Sequence, residues 1–386
     1  MPPQDHTNRD LFESAIFKHF KDTVKPISIK DISIINRFKN GTFTLSYLGY
    51  ILYANGNNPR SLSTHNPQGL RYFDGENLFA IGFGAKENNT NCQGHAHITG
   101  IAGSRPVQTV DNFIHQMKDI HGIPQTSIYI RGLSKSLYEK FLSIEGYNPI
   151  EKDPWHPLAP QEDDTFNHRF IRIRDIIETT SDGKLTVKSL PTGRSKNFRK
   201  KTKGDYARFN HFLERNHLHI QISDSIQNCK KEAFKLVDNF FTFLKSNKNV
   251  NGSTSQDHKN LIYLFPIKKT NGVFFSYIGF LADKNQNLKF PVMLFIGEKI
   301  SDNTCSLYAT FTMRNPSNLP PSINPLGYTG VASYAYARIL ALLERHGIEY
   351  VDIGGSETKS MDSAKERRGA VAKESYWAVY IPSSAA

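Results

Sequence analysis

The feature that most constrains this chain is a repeated order of elements. The tripeptide His-Gly-Ile occurs at residues 121–123 and again at 346–348. Each time it joins a run of helical periodicity to a run that alternates like a strand. A small-residue turn precedes each copy, TGIAGS from Thr99 and TGVAS from Thr329. A second helix-like run and an aromatic strand follow each copy. Chance supplies a tripeptide easily and a whole order of elements rarely, so the chain reads as two related α/β domains.

In the first copy, residues 108–120 put Val110, Phe113, Ile114 and Met117 on one helical face. His121-Gly122 ends that helix, because glycine accepts the left-handed cap, and Pro124 blocks continuation. TSIYI is the next strand, and SKSLYEKFL a second helix with Ser134 as its N-cap. In the later copy, Val331, Ala335, Ile339, Leu342 and Leu343 form the helical stripe, IEYVDI the strand, and SYWAVYIP a closing strand. Between the copies, FNHRFIRIRDII reads as an exposed or bridging strand and residues 231–245 as an amphipathic helix. LIYLFPIK, VFFSYIGFLAD, FPVMLFIGEKI and SLYATFTMR then read as strands with hairpin-like gaps. Turn-rich segments near 160–185 set a boundary, giving domains 1–170 and 171–386.

The length of 386 residues suits two such domains. The formal charge of +12 favours polyanionic partners. Cys92, Cys229 and Cys305 are odd in number and widely spaced, which argues against a disulfide framework and a zinc site, so no metal is expected. The polar N-terminus is no signal peptide, and no apolar run approaches the ~20 residues that span a bilayer. A cytoplasmic protein without a transmembrane segment is the expectation.

Three stretches carry candidate chemistry. Residues 327–333, GYTGVAS, place a glycine turn before a helix, where backbone N–H groups and the helix dipole favour a phosphate or oxyanion. This makes Gly327, Tyr328, Thr329 and Gly330 donor-binding candidates, with TGIAGS the weaker counterpart. Residues 188–208 are strongly basic, and Arg194, Lys196, Arg199, Lys200, Lys201, Lys203 and Arg208 suit phosphates without reading sequence. Finally, the strand YVDI ends in Gly354 and Gly355 and opens onto Ser356, Glu357, Lys365, Arg367 and Arg368. Paired glycines at a strand end let a substrate approach the backbone.

The stretch SYAYARILALLERHGIEYVDIGGSE followed by KERRGA resembles the C-terminal half of the Fem-type peptidoglycan aminoacyltransferases. It also resembles the soluble domain of the phosphatidylglycerol lysyltransferases. SLYEKFLSIEGYNP looks like the tail of a GNAT acyltransferase fold. The resemblance implies an α/β fold of two GNAT-like (acyl-CoA N-acyltransferase) domains in tandem, with mixed, mainly antiparallel sheets flanked by helices. Where that group has Phe-Lys before its last glycine, this chain has Glu366-Arg367-Arg368-Gly369, keeping the cation and losing the aromatic.

The resemblance further implies aminoacyl-tRNA as donor, tRNA as partner and no bound cofactor. An aminoacyl group would pass directly to an amine acceptor. Asp352 or Glu357 would take the amine proton, and Lys365, Arg367 or Arg368 would face the oxyanion. Gly354, Gly355 and Ser356 would admit the donor. Two alternatives stay open at this point: an acyl-CoA-dependent N-acyltransferase, and a non-catalytic nucleic-acid-binding protein on the same scaffold.

Overall fold

The computed structural model describes residues 15–54, 62–63, 66–67, 69–83, 96–120, 127–150, 167–180, 185–188, 196–246, 259, 262, 273–285, 289–355 and 359–381. The chain divides into two units: Met1–His168 with Gly355–Asp362 and Ala372–Ala386, and Arg169–Gly354 with Ser363–Val371.

The first unit is built on seven strands in the order Val24–Pro26, Leu70–Phe73, Asn77–Phe83, Ala96–Gly103, Ile128–Leu133, Tyr376–Tyr380 and Tyr147–Pro149. Its one parallel pair joins Ala96–Gly103 to Ile128–Leu133. A parallel link needs a crossover, and helix Pro106–Lys118 supplies it. The helix starts on proline, where a missing N–H costs nothing, and buries Val110, Phe113, Ile114 and Met117 as the spacing predicts. Ser134 caps helix Lys135–Leu142, its Oγ accepting the Leu137 N–H at 3.4 Å. The His-Gly-Ile copy at 121–123 lies outside the described residues.

The second unit repeats the plan. Its strand order is Leu218–Ser223, Phe274–Asp283, Lys289–Ser301, Thr304–Thr312, Tyr350–Asp352, His168–Arg172 and Val371–Lys373. Here too one pair is parallel, Thr304–Thr312 with Tyr350–Asp352, and helix Val331–Arg345 makes the crossover. Helix Lys230–Ser246 buries Ala233, Leu236, Val237 and Phe241. LIYLFPIK lies almost wholly outside the described residues. Two seven-stranded, mainly antiparallel sheets, each with one helix-linked parallel pair, make this a tandem of GNAT-like domains.

The closing strands depart from the sequence reading. SYWAVYIP reads as the end of the second domain, yet Tyr376–Tyr380 pairs with Ile128–Leu133 and Tyr147–Pro149 in the first sheet. Tyr376 and Tyr380 join the first core with Tyr138 and Tyr147, while Trp377 and Val379 pack on the other face with Ile150. His168–Arg172 does the reverse: it follows the first unit's last strand in sequence and pairs with Tyr350–Asp352 in the second sheet. Each sheet thus receives its penultimate strand from the other half of the chain. Alternation marks a segment as a strand and does not name its partner.

A second correction concerns TGIAGS. Its residues 99–103 complete the strand Ala96–Gly103 and form no turn. The helix start that follows is already served, because the Arg105 N–H donates to Asn77 Oδ1 at 2.9 Å and Glu76 accepts from Ser104 at 2.8 Å. Asp74 and Glu76 line the hollow of about 310 Å³ beside it. Carboxylates at that place repel a phosphate.

Candidate functional site

In each sheet the parallel pair separates before its longer strand ends. In the second unit the register runs from Thr304 opposite Tyr350 to Ser306 opposite Asp352, while the first of these strands continues to Thr312. In the first unit it runs from Ala96 opposite Ile128 to Thr99 opposite Arg131. Separated strands leave a wedge in which each strand lacks a sheet neighbour on the side facing the other.

The two wedges are not equivalent. In the first unit the chain fills its own. A Cβ on Gly100 would lie 2.2 Å from the Tyr50 ring and 2.4 Å from the Thr44 carbonyl, and one on Gly132 2.3 Å from Thr44 Cγ2. The Tyr50 hydroxyl donates to the Gly100 carbonyl at 2.7 Å, and burial raises its pKa well above normal. In the second unit the counterpart of Gly132 is Gly354; both have a left-handed φ, +70° and +73°. Among the described residues, the only heavy atom within 4 Å of a Cβ on Gly354 is the Lys365 amine at 3.9 Å. This open wedge is the candidate site.

Asp352 ends the strand beneath it and is fully buried. Its Oδ1 accepts the Gly354 N–H at 2.7 Å, and this bond sets the turn. Lys365 Nζ donates to the Gly354 carbonyl at 2.9 Å, and the Arg169 N–H donates to the same oxygen at 3.2 Å. The Arg169 guanidinium in turn pairs with Glu366 at 3.3 Å. The sequence reading gave the amine proton to Asp352 or Glu357 and the oxyanion to Lys365, Arg367 or Arg368. The hydrogen bonds of Asp352 and Lys365 with Gly354 hold the glycine turn.

Arg368 is exposed, and its guanidinium carbon lies 5.5 Å from the centre of the Tyr336 ring. Arg367 closes helix Lys359–Arg367; its side chain, and all of Ser356 and Glu357, lie outside the described residues. Gly355 is exposed, and a Cβ there would meet only the Asn167 carbonyl at 3.7 Å.

Four residues around the wedge escaped the sequence reading. Ser306 Oγ, Arg314 Nε and the Tyr336 hydroxyl are buried with no hydrogen-bond partner. Glu298, fully buried, sits opposite Ser306 in the neighbouring strand. Only Glu298 had a visible signal, as a lone carboxylate inside the apolar run FPVMLFIGEKI.

The GYTGVAS turn has another explanation. Tyr328–Gly330 is a 3₁₀ turn leading into helix Val331–Arg345. A Cβ on Gly330 would lie 2.0 Å from the Asp205 carbonyl, and one on Gly327 2.7 Å from that of Arg208. Tyr328 is buried against Phe209 and Phe212, while Thr329 is exposed. Helix Lys196–Arg215 therefore packs over Gly327, Tyr328 and Gly330, where a phosphate would need to sit, and leaves Thr329 exposed.

That same helix holds most of the basic cluster. Its spacing sets positions 196, 199, 200 and 203 on the face opposite buried Phe209 and Phe212. Lys203 is exposed; Arg208, also exposed, pairs with Asp205 at 2.9 Å. The side chains of Lys196, Arg199, Lys200 and Lys201, and all of Arg194, lie outside the described residues. Among the described residues no helix is long and apolar enough to cross a membrane.

Fold and wedge together define a tandem of two similar mixed α/β units, the second with an open wedge at its parallel strand pair. No family model matches the sequence, and no curated protein does. Solved structures do match. A conserved protein of unknown function from Bacteroides thetaiotaomicron VPI-5482 is 11% identical, with 93% of this chain and 99% of that one covered at a TM-score of 0.58. FemX is 9% identical, with 93% and 97% covered and a TM-score of 0.55. The C-terminal domain of a putative lysylphosphatidylglycerol synthetase from Agrobacterium fabrum is 8% identical, with 91% of both chains covered and a TM-score of 0.51. At these identities the likeness is one of fold, and it takes in both units.

Proposed function

We propose that the chain is an acyltransferase that moves an aminoacyl group from aminoacyl-tRNA to an amine. The observation that carries this reading is the open wedge of the second unit, bordered by the Asp352–Gly354–Lys365 turn and by Arg368, in a fold shared with FemX over both units. Direct transfer needs a neutral amine, fixed donors for the oxyanion, and reactants held together. Arg367 and Arg368 supply the fixed cations, Glu357 takes the amine proton, and the turn positions the wedge. Gly354, Gly355 and Ser356 admit the donor. The basic face of helix Lys196–Arg215 holds the tRNA through its phosphates.

The deciding experiment incubates the protein with total tRNA charged with labelled amino acids and a pool of amine acceptors. Transfer of label that stops when the tRNA is deacylated supports the reading. Transfer from acyl-CoA alone overturns the donor assignment, and no transfer from either donor leaves the nucleic-acid-binding alternative.

Two predictions arise here. Replacing Lys196, Arg199, Lys200 and Lys203 by glutamate should lower tRNA affinity at least tenfold at ~0.1 M salt and flatten its salt dependence, as filter binding would read. An unchanged salt slope rejects the interface. Asp352→Ala should cost about 1–3 kcal/mol in denaturant unfolding, because the partly buried Gly354 N–H loses its acceptor. Asp352→Asn keeps an oxygen acceptor and should keep most activity; if Asp352 were the base, the asparagine variant would be inactive.

A further inference from the structure

Beside the wedge, two buried polar atoms, Arg314 Nε and the Tyr336 hydroxyl, have no hydrogen-bond partner among the described residues, and exposed Arg368 lies next to Tyr336. Arg314 follows the strand Thr304–Thr312, Tyr336 lies within helix Val331–Arg345, and Arg368 follows helix Lys359–Arg367. The guanidinium of Arg368 is 5.5 Å from the Tyr336 ring, and that of Arg314 is 5.5 Å from the Phe240 ring. Tyr336 is 93% buried by its 7% exposure, and its hydroxyl has no partner; nor has Arg314 Nε. Neither arginine has a carboxylate partner among the described residues. Burial first, and then the positive charge of Arg368, lower the Arg314 pKa.

Buried donors are normally satisfied, and like charges are normally kept apart. Here a phenol hydroxyl and a guanidinium Nε are buried unpartnered, and the exposed Arg368 cation lies over the ring of that phenol. A group with several acceptor oxygens and negative charge satisfies all three, and guanidiniums match a phosphate in shape as well as charge. Burial raises the Tyr336 pKa, so its hydroxyl keeps its proton and stays a donor at physiological pH.

We propose that Arg314, Tyr336 and Arg368 form a binding site for a phosphate group. The inference concerns binding alone and stands whether or not the chain transfers an acyl group. The phosphate could belong to CoA, to an RNA end or to a small metabolite; the chemistry at the site is shared.

Calorimetric titration of the full chain with inorganic phosphate tests it. One phosphate should bind per chain, at least tenfold more weakly in Arg314→Gln and several-fold more weakly in Tyr336→Phe. The phenylalanine variant loses only an unpartnered hydroxyl and should melt as the parent does, which separates binding from folding. Competition then names the source: displacement by CoA, by a short RNA oligonucleotide or by neither assigns the site to that donor, to RNA or to a free metabolite, and all three support it. No phosphate binding at millimolar concentration, or binding undiminished in Arg314→Gln, overturns the proposal.

Discussion

Replacing Arg367 and Arg368 together by alanine should abolish aminoacyl transfer and leave the chain folded. Arg368 is exposed, so its truncation opens no cavity, and Arg367 is the last residue of its helix. Surface substitutions of that kind usually change stability by no more than about 0.5 kcal/mol. The catalytic effect is of another size. Removing one fixed donor to a developing oxyanion costs on the order of 10²–10³ in rate, and here two cations go. Single-turnover transfer from labelled aminoacyl-tRNA, with a thermal melt alongside, reads both quantities. A double variant that transfers at the parent rate ends the assignment of these arginines, while one that melts far below the parent shows that they hold structure.

Gly330→Ala should destabilise the second unit strongly. The new methyl would lie 2.0 Å from the backbone carbonyl of Asp205, and neither the carbonyl nor the helix carrying it can swing aside as a side-chain tip could. Overpacking a tight contact costs about 1–3 kcal/mol, and the tilted and edge-on packing of Phe209 and Phe212 against Tyr328 would be disturbed with it. Gly354→Ala makes the contrast. It has free space but a φ of +73°, so it should cost only the 1–2 kcal/mol or so of a left-handed residue while narrowing the wedge. Denaturant unfolding of the two variants ranks them. Gly330→Ala at parental stability would show that the contact with helix Lys196–Arg215 is absent in solution and return the GYTGVAS turn to the list of phosphate cradles.

Much of the fold was written in local pattern. The Val110–Phe113–Ile114–Met117 stripe, the Ser134 cap, the helix after Gly330 and the strands around Phe280 and Leu294 all follow from periodicity and capping chemistry. The duplicated order of elements was readable for the same reason. Of the site, the Asp-Ile-Gly-Gly turn and its attendant cations were visible as residues, and their roles were not. Asp352 looked like a base and is a turn cap; Gly327 and Gly330 looked like a phosphate loop and are the floor for a helix.

By itself, then, the sequence determined which segments are helices and strands, that they come in two similar sets, and that the later set gathers the charge. Those are consequences of each residue's own conformational preference and polarity, which act over a few neighbours. Tertiary structure alone decided which sheet receives Tyr376–Tyr380 and His168–Arg172, that Thr44 and Tyr50 close one wedge while the other stays open, and that Arg368 lies over the Tyr336 ring. Each of these joins residues far apart in the chain, where steric exclusion and charge at close range select among partners that local pattern leaves equivalent.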